Sequence, residues 1–351
     1  MPRGHALPLF LLAIPLLAFV LPARAARVRS PWDGHPIPLT DAPAACPQLP
    51  DLPPGLTTDG FYRLDDPTHS IIDPVRQKAY IESSGPIKHA AQAIVDEADT
   101  FRTTGSRAAA ICALNMLAQM ARNRTLTGHM SSQQAYYVQG WLAGAMAVAW
   151  LKVRDSGLTT RAEKKAIPAW LSTLANASRA WFDEEGKHNR QRNNHLYWAG
   201  AEMAAIAAAA NRRDLLDWAI AAYREGIVQI QSDGTLPLEM ARGRRALHYH
   251  LYALTPLVFI AEFGEANGID LYAEHGHAIA RLARICVHGY TDPSLFAQRT
   301  GIAQEVPSSP TAEDAYWARP YSRRFPSPEL AAFLARAQSL SMFYLGGLPP
   351  E

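Results

Sequence analysis

Three cysteines in 351 residues cannot supply a disulfide scaffold. Cys46, Cys112 and Cys286 also stand too far apart in sequence to read as clustered metal ligands, and no metal or other cofactor is implied. At most one internal bridge can form, with three pairings open. Cys112 sits in the helix-like run AAAICALNMLAQMA, where the simpler reading is a buried thiol. Charge of one sign is missing as well: 34 Lys and Arg stand against 32 Asp and Glu. With no dense basic run and no zinc-finger spacing, nucleic acid held by bulk charge is excluded. An anionic ligand must be met by a local cluster of bases. Strand patterns are scarce, limited to a turn around SDGTL at 232–236. Neither a serine-nucleophile motif nor an obvious pair of catalytic carboxylates stands out.

Long apolar runs are confined to the start. Residues 7–21, LPLFLLAIPLLAFVL, follow Arg3 and lead into Ala23-Arg24-Ala25. That is the pattern of a secretory signal peptide, short and broken by proline, rather than of a membrane span. Cleavage after residue 25 removes Arg3 and Arg24 from the 34 bases, leaving 32 against 32 acids. The expected product is an exported, periplasmic protein with no membrane insertion once the signal is removed, and with one domain over 26–351.

What is present is helix. After a Pro- and Gly-rich lead-in at 29–60, apolar residues recur at three-to-four spacing, as in IKHAAQAIVDEADTF and SSQQAYYVQGWLAGAMAVAWLKV. The pattern predicts helices near 86–102, 106–126, 131–152, 161–184, 195–210, 212–231, 244–263, 268–288 and 328–345. Ser131-Ser132, Thr160 and Ser327-Pro328 mark starts; Gly186 and Gly264 lie near C-termini. Alanine and glycine in 140–149 and 199–210 suit closely packed inner helices. Two segments resist the pattern, 58–74 and 289–326, and long loops of this kind read as lids or cleft walls.

Two constellations carry chemistry. At the mouth of the helix near 194, NNHLYW brings together two amides, an imidazole and two aromatics. Asn193 reads as a helix cap, which leaves the amide of Asn194 for an anion beside His195; Trp198 and Glu202 share the His195 face. In LPLEMARGRRALHYHLYALTP, a continuous helix places Arg242, Arg245, Tyr249 and Tyr252 on one stripe with His248 on its shoulder. Pro256 is expected to kink or end that helix, and His250 reads as structural. Glu239 and Arg244 read as helix-bracing or solvated groups. Guanidinium suits carboxylate recognition, and a cation beside a phenol favours its ionised form. Amide, imidazole, arginine and tyrosine fit β-elimination from a 4-linked uronic acid polymer better than hydrolysis, which calls for two carboxylates. Glu202 and Glu239 are the candidates hydrolysis would need. A non-catalytic periplasmic protein that binds a uronate polymer is the other alternative.

These motifs resemble the periplasmic alginate lyases that cleave poly-mannuronate, the fifth polysaccharide lyase family. The resemblance runs through the early Cys-Pro, the Gly-Phe-Tyr lead-in, CALNMLAQMA, NNHLYWAGAEMAAIAAAANRR, the Asp-Trp-Ala at 217–219 and LPLEMARGRRALHYHLYAL. It implies an all-α, incomplete (α/α) toroid of paired antiparallel helices. It implies Asn194 and Arg242 as neutralisers of the substrate carboxylate, His195 beside C5, and Tyr249 as the phenol that serves the glycosidic oxygen. It further implies Trp198, Arg245, His248 and Tyr252 as subsite residues, with Tyr62 and Arg63 on a lid. The implied partner is an anionic uronic acid polysaccharide, acted on by a monomer, with polymer-secretion machinery as a further partner. The chain departs from the family pattern at His248, where alanine is usual, and at Leu251, where asparagine is usual. Both bear on whether poly-mannuronate or poly-glucuronate is preferred.

Overall fold

The structure, a computed structural model, describes Met1, residues 27–188 and residues 191–350. The expected signal peptide lies outside them. The long helices are α1 (Pro74–Thr104), α2 (Arg107–Arg122), α3 (Gln133–Val153), α4 (Arg161–Lys187), α5 (Asn194–Ala210) and α6 (Arg213–Val228). A one-turn α7 (Pro237–Met240) precedes α8 (Ala246–Ala266) and α9 (Glu274–Gly289). Shorter pieces follow: α10 (Ser294–Thr300), α11 (Ala312–Ala315), α12 (Ala318–Arg324) and α13 (Pro328–Ala335). In α1, α3, α5 and α8 packing runs sequentially, α1 on α3, α3 on α5 and α5 on α8. Helices α2, α4, α6 and α9 back them from outside. This is the expected incomplete (α/α) toroid, without a β-sheet among the described residues.

Local chemistry explains the boundaries. Ser132, Thr160 and Ser327 cap α3, α4 and α13 as read from sequence, Thr160 through a full capping box with Glu163. Helix α1 begins at Pro74 rather than near 86, because Asp73 accepts from the amides of Val75 and Arg76 and Pro74 suits the first turn. Its first turns carry little apolar period, so the pattern missed them. Gly186 and Gly264 lie near helix C-termini as read, in the last turns of α4 and α8, which run on to Lys187 and Ala266. At 268–288, His275, Gly276 and His277 take left-handed backbone, so regular helix starts only after them. The expected helix at 328–345 stops at Ala335.

Inner packing depends on the small residues. A Cβ on Gly140 would lie 2.7 Å from Glu202 Oε2, and one on Gly144 would lie 3.3 Å from Glu202 Cα. Those glycines let α3 and α5 approach with the Glu202 side chain between them. The lead-in is tied down by a Cys46–Cys112 disulfide spanning 66 residues, which corrects the reading of Cys112 as a free buried thiol; Cys286 is the buried free cysteine. A period-based reading of α2 sees an apolar position and cannot see its distant partner. At the other end, buried Lys152 pairs with Asp99 and donates to the carbonyls of Gly346 (2.6 Å) and Leu348 (3.0 Å), tying the C-terminal segment to α3. Among the described residues, no helix is long and apolar enough to cross a membrane.

Candidate active site

A groove of about 890 Å³ runs between the N-terminal ends of α3 and α5, the start of α8 and the loop at 58–73. His195, Arg242, Arg245, His248, Tyr249 and Tyr252 all line it, as do Tyr62 and Arg63. The structure thus brings together eight of the residues singled out from sequence. Asn194 and Trp198 are not among its lining.

The arginine–tyrosine arrangement is not one helical stripe. Gly243 takes a left-handed φ of 57°, and 243–245 form a 3-10 turn, so α8 begins only at Ala246. The break lets Arg242 fold back over the Tyr249 ring, its guanidinium carbon 3.7 Å from the ring centroid, with Arg245 at 5.3 Å. Tyr249 Oη shares a 2.7 Å hydrogen bond with Tyr62 Oη, to which Arg245 donates at 2.6 Å. His69 contributes its carbonyl, accepting from Arg242 at 3.1 Å and from Tyr249 Oη at 3.4 Å. The Arg242 Nε is buried with no hydrogen-bond partner among the described residues. Tyr62 is pushed well above the usual phenol range by burial, which outweighs the two arginines.

At the mouth of α5 the two amides divide the work. Asn193 is the cap, its Oδ1 accepting from the His195 amide at 3.1 Å, and it lines the groove. Asn194 is fully buried, its backbone N–H and its Nδ2 both donating to Glu239 at 2.9 Å. Its amide is therefore turned on Glu239 instead of standing open beside His195, as the sequence reading had it. Glu239 is correspondingly a buried clamp, not a solvated pair; burial pushes its carboxyl up to about 7, against the lowering by Asn194. His195 stacks on Tyr137 with centroids 3.9 Å apart and 7° between planes. Burial, then the charge of Arg242, holds its imidazole neutral down to about 3. His248 is held down to about 3 by burial, then by Arg245 and Arg242.

Trp198 has a structural occupation. Pro256 lies inside α8 without ending it, and has no N–H to offer the carbonyl of Tyr252; the Trp198 indole donates there instead, at 3.1 Å. The indole therefore packs behind Tyr252, away from the groove. His250 is structural as read: its Nε2 accepts from the Leu236 amide at 2.9 Å, and its Nδ1 donates to the Ala246 carbonyl at 2.7 Å. Glu202 is buried with the Ser178 hydroxyl at 2.7 Å, its carboxyl pushed up to about 8 by burial. Glu202 and Glu239 do not line the groove, so the two-carboxylate arrangement that hydrolysis needs is not built from them.

Of the two irregular segments, 58–73 is the groove wall, while 289–326 contributes Glu313. Sequence reasoning missed His69, Tyr80, Lys88, Tyr137 and Tyr344. Tyr137 had a signal: SSQQAYY puts amides and aromatics at a helix mouth, as NNHLYW does. Its hydroxyl bonds both Gln133 and Gln191. Among the described residues, no three His, Cys, Asp or Glu side chains gather where they could hold a metal ion.

A family model for alginate lyase matches residues 60–296. A polysaccharide lyase of Stenotrophomonas maltophilia is 40% identical over 264 residues, covering 74% of this chain and 78% of that protein. An alginate lyase of Pseudomonas syringae pv. syringae is 32% identical over 291 residues, covering 82% and 76%. Among solved structures, alginate lyase A1-III from Sphingomonas species A1 has a TM-score of 0.71 at 24% identity, covering 87% of each chain. A point variant of A1-III complexed with tetrasaccharide has a TM-score of 0.77 at 22% identity, covering 92% and 95%. The structural likenesses carry the fold.

Proposed function

The chain belongs to the alginate lyase family, and from that membership we infer how its groove cuts a mannuronate-type polymer. It is a β-eliminating polysaccharide lyase whose substrate is an anionic, 4-linked uronic acid chain. The reaction removes the C5 proton, breaks the C4–oxygen bond and leaves a 4,5-unsaturated sugar on the new non-reducing end. The observation that supports the residue roles is Tyr249, a phenol in the groove wall with Arg242 over its ring.

Arg242 meets the C6 carboxylate, whose charge must be neutralised if carbanion character at C5 is to be bearable. A neutral His195 hydrogen-bonds the same carboxylate, and its low proton affinity makes it a weak base in the empty groove. Asn194, held on Glu239, fixes the mouth of α5 so that Asn193 and His195 face the sugar. Tyr249 delivers a proton to the glycosidic oxygen. With hydrogen and leaving group on one side, as in mannuronate and glucuronate, it also takes the C5 proton. Arg245, His248 and Tyr252 bind flanking sugars, with Tyr62 and Arg63 covering them. Poly-glucuronate, sharing the C4 and C5 geometry, is proposed as a second substrate.

Purified protein is tested against poly-mannuronate, poly-guluronate and poly-glucuronate, read at the ultraviolet band of the unsaturated product. Cleavage of poly-guluronate alone would overturn the role given to Tyr249. Export to the periplasm is proposed from the leader pattern and fits a lead-in fastened by a disulfide. Fractionation of cells expressing the full chain beside one lacking residues 2–25 tests it. A monomer, and attachment to polymer-secretion machinery, are proposals for sizing and co-purification.

A further inference from the structure

Two cations lining the groove, Arg76 and Lys88, have no role in the chemistry above, and Lys88 is the one held against an aromatic ring. Lys88, on α1, is half-buried in the groove wall, and its ammonium donates to the Tyr80 hydroxyl at 2.7 Å while lying 3.9 Å from that ring's centroid. The contrast with Lys152 is instructive. That buried ammonium has a carboxylate and two carbonyls, whereas among the described residues Lys88 makes no ion pair. Withdrawing an ammonium from water for one phenol is a poor exchange unless a negative group arrives. The charges of Arg242 and Arg245 bear on His248 and Tyr62, and that of Arg242 on His195, but burial alone acts on Lys88. The ammonium therefore stands apart from the arginine pair, in the same groove. Its partner Tyr80 also meets the side chains of Tyr344 and Gln134. Phe61 packs on Tyr80 at 5.1 Å and so connects this wall to the 58–73 loop.

A 4-linked uronate chain carries one carboxylate on every sugar, and Arg242 accounts for one of them. We propose that Lys88 is a specificity-determining residue: its ammonium takes the carboxylate of a uronate sugar away from the scissile bond, with Tyr80 holding it in place. The inference rests on the lyase reading. It makes the groove select for charge at a second sugar, so that polymers whose neighbouring residue is neutral bind less well.

The test compares Lys88→Met and Lys88→Arg with the wild-type chain on poly-mannuronate, with melting curves as the fold control. Lys88→Met is expected to raise KM about tenfold and leave kcat within about twofold, the loss of one charge-assisted contact. Lys88→Arg should restore KM. Burial holds the Lys88 ammonium down to about 8, so wild-type KM should climb between pH 7 and 9.5 while that of Lys88→Arg stays flat. The phenols facing it do not titrate in that range: Tyr80 is pushed up to about 12 and Tyr344 higher still, both mainly by burial. Glu313, which bears on Tyr344, is pushed up to about 7 by burial; its titration is common to the wild type and Lys88→Arg, so the difference between the two profiles reports Lys88. An unchanged KM in Lys88→Met, or a fall in kcat that Lys88→Arg does not rescue, overturns the proposal. Polymer Kd from calorimetry separates the two readings. A wild type that binds but never cleaves refutes the lyase reading, and a tenfold Kd change in Lys88→Met still supports Lys88.

Discussion

The groove has two walls built on different principles. On one side, the mouth of α5 and the start of α8 are the ends of helices buried in the toroid, the α5 mouth being locked to α7, which leads into α8, by Glu239 accepting twice from Asn194. On the other, the 58–73 strap has no regular structure beyond single bridges and is knotted about one carboxylate. Asp66 accepts from the amides of Thr68 (2.9 Å), Ser70 (2.7 Å) and Ile71 (2.8 Å), and from the Thr68 hydroxyl (2.6 Å). Those donors hold the Asp66 carboxyl well below its usual range, despite the opposing effect of burial. Both walls converge on Tyr249, one by carrying it and the other through Tyr62 and His69. A helical wall fixes a reacting group through its backbone ladder, while the strap owes its shape to side-chain bonds about Asp66 and at its two ends, and segments held in that way are the kind that open most readily.

The largest expected effect tests whether the walls share one chemical centre. Tyr249→Phe removes one oxygen and keeps the ring under Arg242, so the helix and its packing persist. A loss of general acid catalysis predicts a fall in kcat of about 10²–10⁴-fold, with a smaller change in polymer Kd. A variant keeping more than about a third of wild-type kcat would leave Tyr249 a subsite residue, and Tyr252 would become the acid to test.

Breaking the walls one at a time separates their tasks. Glu239→Ala leaves two buried Asn194 donors unmet and frees the mouth of α5, predicting about a 30-fold loss in kcat. Asp66→Ala loosens the strap alone, predicting about a tenfold rise in KM with a smaller change in kcat. The sign of its pH dependence follows from the lowered carboxyl. The Asp66 contribution is present above the unfolded value near 3.8 and disappears as pH falls through the lower folded one. The strap should therefore hold throughout pH 5–9. If Asp66→Ala damages kcat more than Glu239→Ala does, the strap is part of the catalytic apparatus and not its cover.

The same contrast explains what could be read from sequence. The inner helices and the α5 and α8 residues were legible, because helix period, caps and polar side chains at helix mouths are local signals; their closure into a toroid came from the family resemblance. The strap was legible only as an irregular stretch with Tyr62 and Arg63. Its knot consists of side-chain-to-backbone bonds, and its contact with the chemistry includes the carbonyl of His69, which no residue type announces. Trp198 and Asn194 were assigned to the groove because they share its motifs. Their partners, the Tyr252 carbonyl left open by Pro256 and the carboxylate of Glu239, are distant in sequence. Cys46–Cys112 was missed for the same reason.

That disulfide lies in neither wall and so makes a control. Cys46→Ser with Cys112→Ser should lower Tm by about 5–10 °C, the loop-closure contribution being about 4 kcal/mol for 66 residues. The kinetic constants should stay within about twofold. A large change in kcat would mean that the lead-in reaches the groove through the strap it precedes, and that the two walls are not independent.

The smallest expected effect concerns His248, the imidazole standing where the family usually has alanine. A titration near 6.5 would have made it a switch between substrates. The structure argues otherwise. His248 is flanked edge-on by Tyr249 at 5.1 Å and stacked with Tyr252 at 6.0 Å. Arg245 and Arg242 add their charge to its burial, so protonation is held off to about 3. Across pH 5–9 the ring stays neutral, acting as a polar surface of fixed charge. The ratio of poly-mannuronate to poly-glucuronate rates should therefore follow parallel pH profiles in the wild type and in His248→Ala, offset but not reshaped. Glu313 near 7 and Lys88 near 8 also titrate in this range, and any inflections they cause must survive in the variant. A step near 6.5 that vanishes in His248→Ala would show that the ring gains a proton when the strap opens. His248 would then respond to the strap, although it is carried by α8.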